Sequence, residues 1–126
     1  MPTDKMQRGA AAEALAAEYL TARGLLVVAH NLRSRAGELD LVCLDGAVLV
    51  VVEVRSRSRD DFGGAVASVT RSKQRKLLRA ARYEWQRRAD WRDRLMRFDV
   101  VGIGVDGRGA GAAHRIEWIR DAFRAG

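Results

Sequence analysis

Residues 37–57 read GELDLVCLDGAVLVVVEVRSR, two runs of strand-forming residues on either side of Asp45-Gly46. No other stretch limits the fold so strongly. An Asp-Gly pair between such runs is a hairpin signal, because glycine accepts the positive φ of a tight turn. Glu38–Leu44 alternates in character, as a half-buried strand does, and Ala47–Arg55 is apolar enough for the inside of a sheet. Yet the second run contains Glu53 and, two residues on and so on the same face, Arg55. A buried charge without compensation is expensive.

The first strand supplies a partner. Glu38, Asp40 and Val42 share one face of it, and with the turn centred on Asp45-Gly46, Asp40 falls near Glu53 with a two-residue offset, on the same face and in diagonal reach. Two carboxylates that close repel unless a cation lies between them. Hard oxygen donors without accompanying histidines favour magnesium or manganese over zinc. The bland alternative is a salt-bridged surface pair using Arg33, Arg35 or Arg55. The spacing Asp40-x12-Glu53-x-Arg55 also has a chemical use. Carboxylates can hold a divalent ion that polarises a phosphate oxygen and activates water, and a cation beside the second carboxylate stabilises developing negative charge.

Upstream, Met6–Arg23 has helical periodicity, with Arg8, Ala12, Leu15, Ala16, Tyr19 and Leu20 on one broad face and Gly24 as a stop. Glu13 lies at the shoulder of that face and is a candidate third ligand, or an ordinary helix-boundary glutamate. Glu18 points the other way. Leu25–Arg33 is a strand, giving a three-stranded antiparallel meander with the hairpin. Ser56–Gly64 reads as a loop, and Arg71–Arg88 as a long helix capped by Ser68 or Thr70. Arg97–Val105 is a further strand, Gly107–Gly111 a loop, and Arg115–Ile119 a short strand before a terminal turn of helix. The order α-β-β-β-α-β-β, with no internal repeat or linker, implies one α/β domain over residues 1–126 with a mixed central sheet flanked by helices.

The chain carries a net charge of +7, with 20 arginines against 3 lysines. Such an excess suits a polyanion, most often nucleic acid, although a GC-rich genome gives the same bias. The long helix concentrates it. Leu77, Leu78, Ala81 and Trp85 form its apolar side, while Arg71, Lys73, Arg75, Lys76, Arg79 and Arg82 stand elsewhere, with only Glu84 nearby to balance them. Arg55, Arg57 and Arg59 add charge just after Glu53. The blander reading is a solvated helix face. The single cysteine, Cys43, cannot form an internal disulfide, no apolar run is long enough for a bilayer, and the N-terminus has no secretory pattern; a cytoplasmic location follows. His30 and His114 make no zinc site with one cysteine. Gly102–Gly111 is not a dinucleotide loop, since no suitable helix follows it. For at least two of Trp85, Trp91 and Trp118, core packing is the expected role.

Gly9 through Glu13 to Leu20, Asn31-Leu32-Arg33, Gly37-Glu38-Leu39-Asp40, Val52-Glu53-Val54-Arg55, Phe62-Gly63, Lys73, Arg97-Phe98-Asp99 and Ile119…Ala122-Phe123 together resemble the YraN family of small bacterial proteins, in order and over nearly the whole chain. The resemblance implies a restriction-endonuclease-like fold of the PD-(D/E)xK type, related to Holliday-junction resolvases. It implies acidic metal-site positions at Glu13, Asp40 and Glu53, a magnesium or manganese ion, and nucleic acid, chiefly DNA, as partner. Resolvase-like relatives also suggest a homodimer, though the pattern shows no dimer face. Where that fold usually has lysine, this chain has Arg55, which stays protonated and cannot serve as a general base. Lys73 offers an ammonium from elsewhere. Three readings therefore stand: a metal-dependent endonuclease for branched or structured DNA, a nucleic-acid- or partner-binding module on the same fold, and an RNA-processing variant of the first.

Overall fold

The structure, a computed structural model, describes residues 4–57, 64–106 and 113–124. In chain order these form α1 (Asp4–Ala22), β1 (Leu26–Ser34), β2 (Gly37–Asp45), β3 (Val48–Arg57), α2 (Gly64–Ala67), α3 (Arg71–Arg87), α4 (Ala89–Arg92), β4 (Met96–Asp106) and β5 (Ala113–Phe123). The strands make one sheet in the order β1-β2-β3-β4-β5. The β3–β4 pair is parallel and the others are antiparallel. This is the expected mixed α/β sheet flanked by helices, with the three-stranded meander in place. None of the described helices is long and apolar enough to cross a membrane.

The helices divide between the two faces. Ala12, Ala16 and Leu20, four residues apart on α1, are buried against Leu41, Cys43, Val50, Val52 and Val101. Small residues at that spacing let the helix axis lie close to the sheet. The helix ends in paired reverse bonds, Leu25 N–H to Leu20 C=O and Gly24 N–H to Thr21 C=O, which satisfy its last carbonyls. On the other face, Leu77, Ala80 and Ala81 of α3 pack with Leu49, Val51, Phe98 and Val100, and α2 and α4 add Ala65 and Trp91. The β1–β2 turn closes tightly on α3. A Cβ at Gly37 would lie 3.2 Å from the Ala80 methyl, and its φ of +136° suits only glycine.

Two short helices, α2 and α4, lie where no helix was expected, and the C-terminal expectation fails. In place of a short strand and a terminal turn of helix, β5 runs on to Phe123, with Phe98 opposite it and a bulge between Phe98 and Val100. Buried Asp99 explains the extension. Its carboxylate takes the Arg97 guanidinium at 3.0 and 3.1 Å, the Trp118 indole N–H at 2.9 Å and the Asp121 backbone N–H at 2.9 Å. Each oxygen thus receives two donors, and β5 is tied to β4 beyond the bulge. Trp85 likewise donates its indole N–H, to the Arg94 carbonyl, while Trp91 is buried; all three tryptophans serve packing. Gly102 and Gly104 are buried in β4, as the expected Arg97–Val105 strand has them, and 107–112 lie outside the described residues.

Removing Asp99 leaves Arg97 its bond to Asp45 but takes the acceptor from the Trp118 indole and the Asp121 backbone N–H, at a cost of about 1–3 kcal/mol. Asp99→Ala is therefore expected to lower the urea midpoint by that equivalent, while Arg124→Ala, which leaves all four donors to Asp99 in place, should leave it nearly unchanged.

Candidate active site

The β2–β3 ladder runs from Asp45–Val48 to Leu41–Val52. One step further, the same register sets Asp40 directly opposite Glu53. The expected two-residue offset disappears because Asp45 and Val48 pair across Gly46-Ala47, so the turn is centred one residue later than Asp45-Gly46. Gly46 has a φ of +58°. The ladder then stops. Val54 N–H donates to Asp40 Oδ2 at 3.0 Å, so a side chain replaces the neighbouring strand as its acceptor. Beyond that point β2 stays with β1 as far as Gly37, and β3 stays with β4 as far as Arg57. The two carboxylates thus sit where the sheet forks.

Glu53 is 4% exposed and Asp40 is partly buried. Burial raises the pKa of both. The Asp40 charge pushes Glu53 further, to about 7, although Lys73 and Arg55 offset part of the rise. For Asp40, the Val54 N–H and a hydrogen bond from Glu53 offset part of the rise. Two cations reach the same oxygen, Glu53 Oε1: Lys73 Nζ at 3.1 Å and the Arg55 guanidinium at 3.6 Å. Thr70 caps α3 by accepting the Lys73 N–H, which sets that lysine in the first helical turn. Ser68 accepts from Arg55 Nε at 3.0 Å and donates to the Ala65 carbonyl. Of the two hydroxyls read as cap candidates, one caps the helix and the other orients Arg55. Arg33 pairs with Glu38 instead, and Arg35 lies over Tyr83.

Glu13 approaches from α1. Burial raises its pKa first and the Asp40 charge next, while a hydrogen bond from the Asn31 side chain partly offsets both. Asn31 holds a φ of +46° within β1, and the register between His30–Leu41 and Leu32–Leu39 sets it opposite Asp40. Asparagine tolerates that left-handed conformation better than most residues. Its part in the site was not legible from sequence, because nothing in the pattern marks a kinked strand residue. Among the described residues, no three His, Cys, Asp or Glu side chains form a group that could hold a metal. Asp40 and Glu53 come together; Glu13 stands outside as a neighbour coupled through charge.

The expected basic surface divides. Arg71, Arg75, Lys76, Arg79 and Arg82 are exposed on α3, whereas Lys73 is drawn to the carboxylates. The Arg57 side chain, Arg59 and Phe62-Gly63 lie outside the described residues. Glu84 does not balance the surface charge: it is 2% exposed and bonded by Arg88 one turn on.

A family model for the uncharacterised protein family UPF0102 matches residues 12–103. UPF0102 proteins of Halorhodospira halophila and Dechloromonas aromatica are 47% and 48% identical, over 96% and 94% of this chain and 90% and 89% of their own. That of Nitrosococcus oceani is 42% identical over 98% of this chain and 96% of its own. The chain belongs to UPF0102. This is the YraN family of the sequence resemblance. The part that matches the UPF0102 model holds Glu13, Asp40, Glu53, Arg55, Lys73 and all of α3, while β5 lies beyond it.

A pKa raised from 4.5 to about 7 means that folded Glu53 keeps a proton which the unfolded chain has lost between those values. Its contribution is fully present below pH 4.5 and is lost as pH rises through 7, by at most about 3 kcal/mol. Urea denaturation from pH 4.5 to 8 should therefore show a fall in stability over that interval which Glu53→Gln removes. An unchanged slope in Glu53→Gln would exclude Glu53 as its source.

Proposed function

We propose that this UPF0102 protein is a metal-dependent endonuclease that hydrolyses phosphodiesters in branched or structured DNA. The observation that carries the reading is the pair of facing carboxylates at the fork, one buried and one partly buried, with an ammonium and a guanidinium on the same glutamate oxygen. Asp40 and Glu53 are the residues that would hold magnesium or manganese. They fit it: both offer hard oxygens, and their raised pKa values mark negative charge that burial leaves short of compensation. Two protein carboxylates are enough, since magnesium keeps several waters and shares its shell with substrate phosphates. When bound, the ion supplies Lewis-acid polarisation of a phosphate oxygen and eases loss of a proton from water.

The chain's own residues do the rest. Asp40, fixed by the Val54 N–H, holds its carboxylate in one orientation. Lys73 brings a compact ammonium to the place where the Arg55 substitution removes one from the strand. Arg55, oriented through Ser68, offers its planar fork to a phosphate and stays protonated throughout. Glu13, in the field of Asp40, adds negative charge that draws a cation inward.

One observation favours a second reading, a binding module without chemistry: Lys73 and Arg55 already compensate Glu53. The two separate experimentally. Branched, duplex and single-stranded DNA, and RNA, are incubated with magnesium or manganese. Asp40→Ala and Glu53→Ala should each lower cleavage by about 100-fold or more, and Lys73→Ala by a comparable factor. Arg55→Lys should retain or raise it. Cleavage that survives both carboxylate substitutions would sink the catalytic assignment, and binding of every substrate without cleavage gives the second reading. In a separate measurement, magnesium should raise Tm more at pH 8 than at pH 5, because protonated Glu53 is a poor ligand, and Glu53→Gln should abolish the difference.

A further inference from the structure

The exposed side of α3 meets the β1–β2 turn in an open groove of about 740 Å³, whose walls carry Arg35, Arg75, Arg79, Arg82, Tyr83 and Gln86. No carboxylate lines it. The basic side chains at other described positions are often matched: Arg33 with Glu38, Arg88 with Glu84, Arg97 with Asp99 and Asp45, Arg124 with Asp121, and Lys73 and Arg55 with Glu53. Among the described residues, Arg75, Arg79 and Arg82 have no such counter-ion. Residues 75, 79, 82 and 86 recur at helical spacing and so form one ridge. A solvated helix face would show the same ridge, but not the opposing wall that Arg35 supplies from another element.

The groove also holds an aromatic ring. Tyr83 is half-buried, with the Arg35 and Arg87 guanidinium carbons 5.8 and 5.0 Å from its centroid, and its hydroxyl accepts from Arg87. Guanidinium groups for phosphates beside an aromatic platform for bases are the combination that holds single-stranded nucleic acid. The ridge starts beside Lys73 and leads away from Glu53, reaching Arg82 about 14 Å along the helix axis.

We propose that this groove is a second nucleic-acid site, which grips an unpaired strand flanking the phosphate presented to the carboxylates. Its arginines hold the backbone, Tyr83 stacks on a base, and the grip fixes which phosphate lies at the fork. The inference rests on the proposed nucleic-acid reading but not on its metal chemistry.

Binding is measured with chelator present, by fluorescence anisotropy of the full chain with a labelled single-stranded oligonucleotide and with its duplex. Arg75→Ala/Arg79→Ala/Arg82→Ala should weaken single-strand binding by roughly tenfold or more and lower the salt slope by about 0.7 per contact removed. Tyr83→Leu should weaken single-strand binding roughly fivefold, more than duplex binding, with little change in slope. Arg23→Ala/Arg120→Ala removes charge from side chains that lie over Tyr19 and Trp118, away from the groove, and should do much less. Wild-type affinity and slope in the triple and Tyr83 variants would overturn the inference, as would an equal per-charge loss in the control. Groove-dependent binding by a protein that cuts nothing would support the groove and defeat the endonuclease; a wild type that cuts DNA, with groove variants that bind like it, would do the reverse.

Discussion

The hydrogen bond from the Val54 amide to the Asp40 carboxylate is the contact on which the rest depends. A sheet strand that parts from its neighbour leaves an amide without a partner, and a buried amide in that state is costly. Here the side chain opposite supplies the acceptor. The sheet can therefore open between β2 and β3 without losing the bond, and Glu53 is turned toward the residue it would otherwise be driven from. Three elements then converge on the opening. Lys73 reaches it from α3, Arg55 lies along β3 itself, and Glu13 arrives from α1 with Asn31 beside it.

Much of this arrangement was legible because it follows from local rules. Alternation in Glu38–Leu44 and the run before Glu53 gave the hairpin and placed Asp40 and Glu53 on one face. The 3.6-residue period placed Leu77 and Ala81 inward and Arg75 and Arg79 outward. What was not legible depended on how separate elements dock. The turn lies one residue later than Asp45-Gly46 implies, since either placement satisfies the same pattern of side chains, and only the ladder chooses between them. The sequence offers Lys73 as an ammonium from elsewhere, but its approach to Glu53 shows only once the crossover between the parallel strands is complete. Glu84 read as exposed because it borders the charged side of its helix, and its burial is answered by Arg88. The C-terminal strand was cut short for a similar reason: the donors that hold Asp99 come from residues far apart in sequence.

Helix α3 serves three surfaces at once. Its buried stripe fills the core beneath it, its first turn delivers an ammonium to the carboxylates, and its outer ridge carries charge that no described carboxylate answers. Position along one rigid element thus fixes the separation between the fork and the groove. A loop would leave that separation variable.

The parallel β3–β4 pair has a consequence for a chain made from its N-terminus. The meander that carries both carboxylates is synthesised before the crossover that carries Lys73. Until α3 docks, Glu53 lacks the ammonium that Lys73 supplies, and parallel pairing across a long connection is slow to form. Glu53 therefore gains its Lys73 counter-ion only when the crossover closes, after the hairpin that carries it has been made.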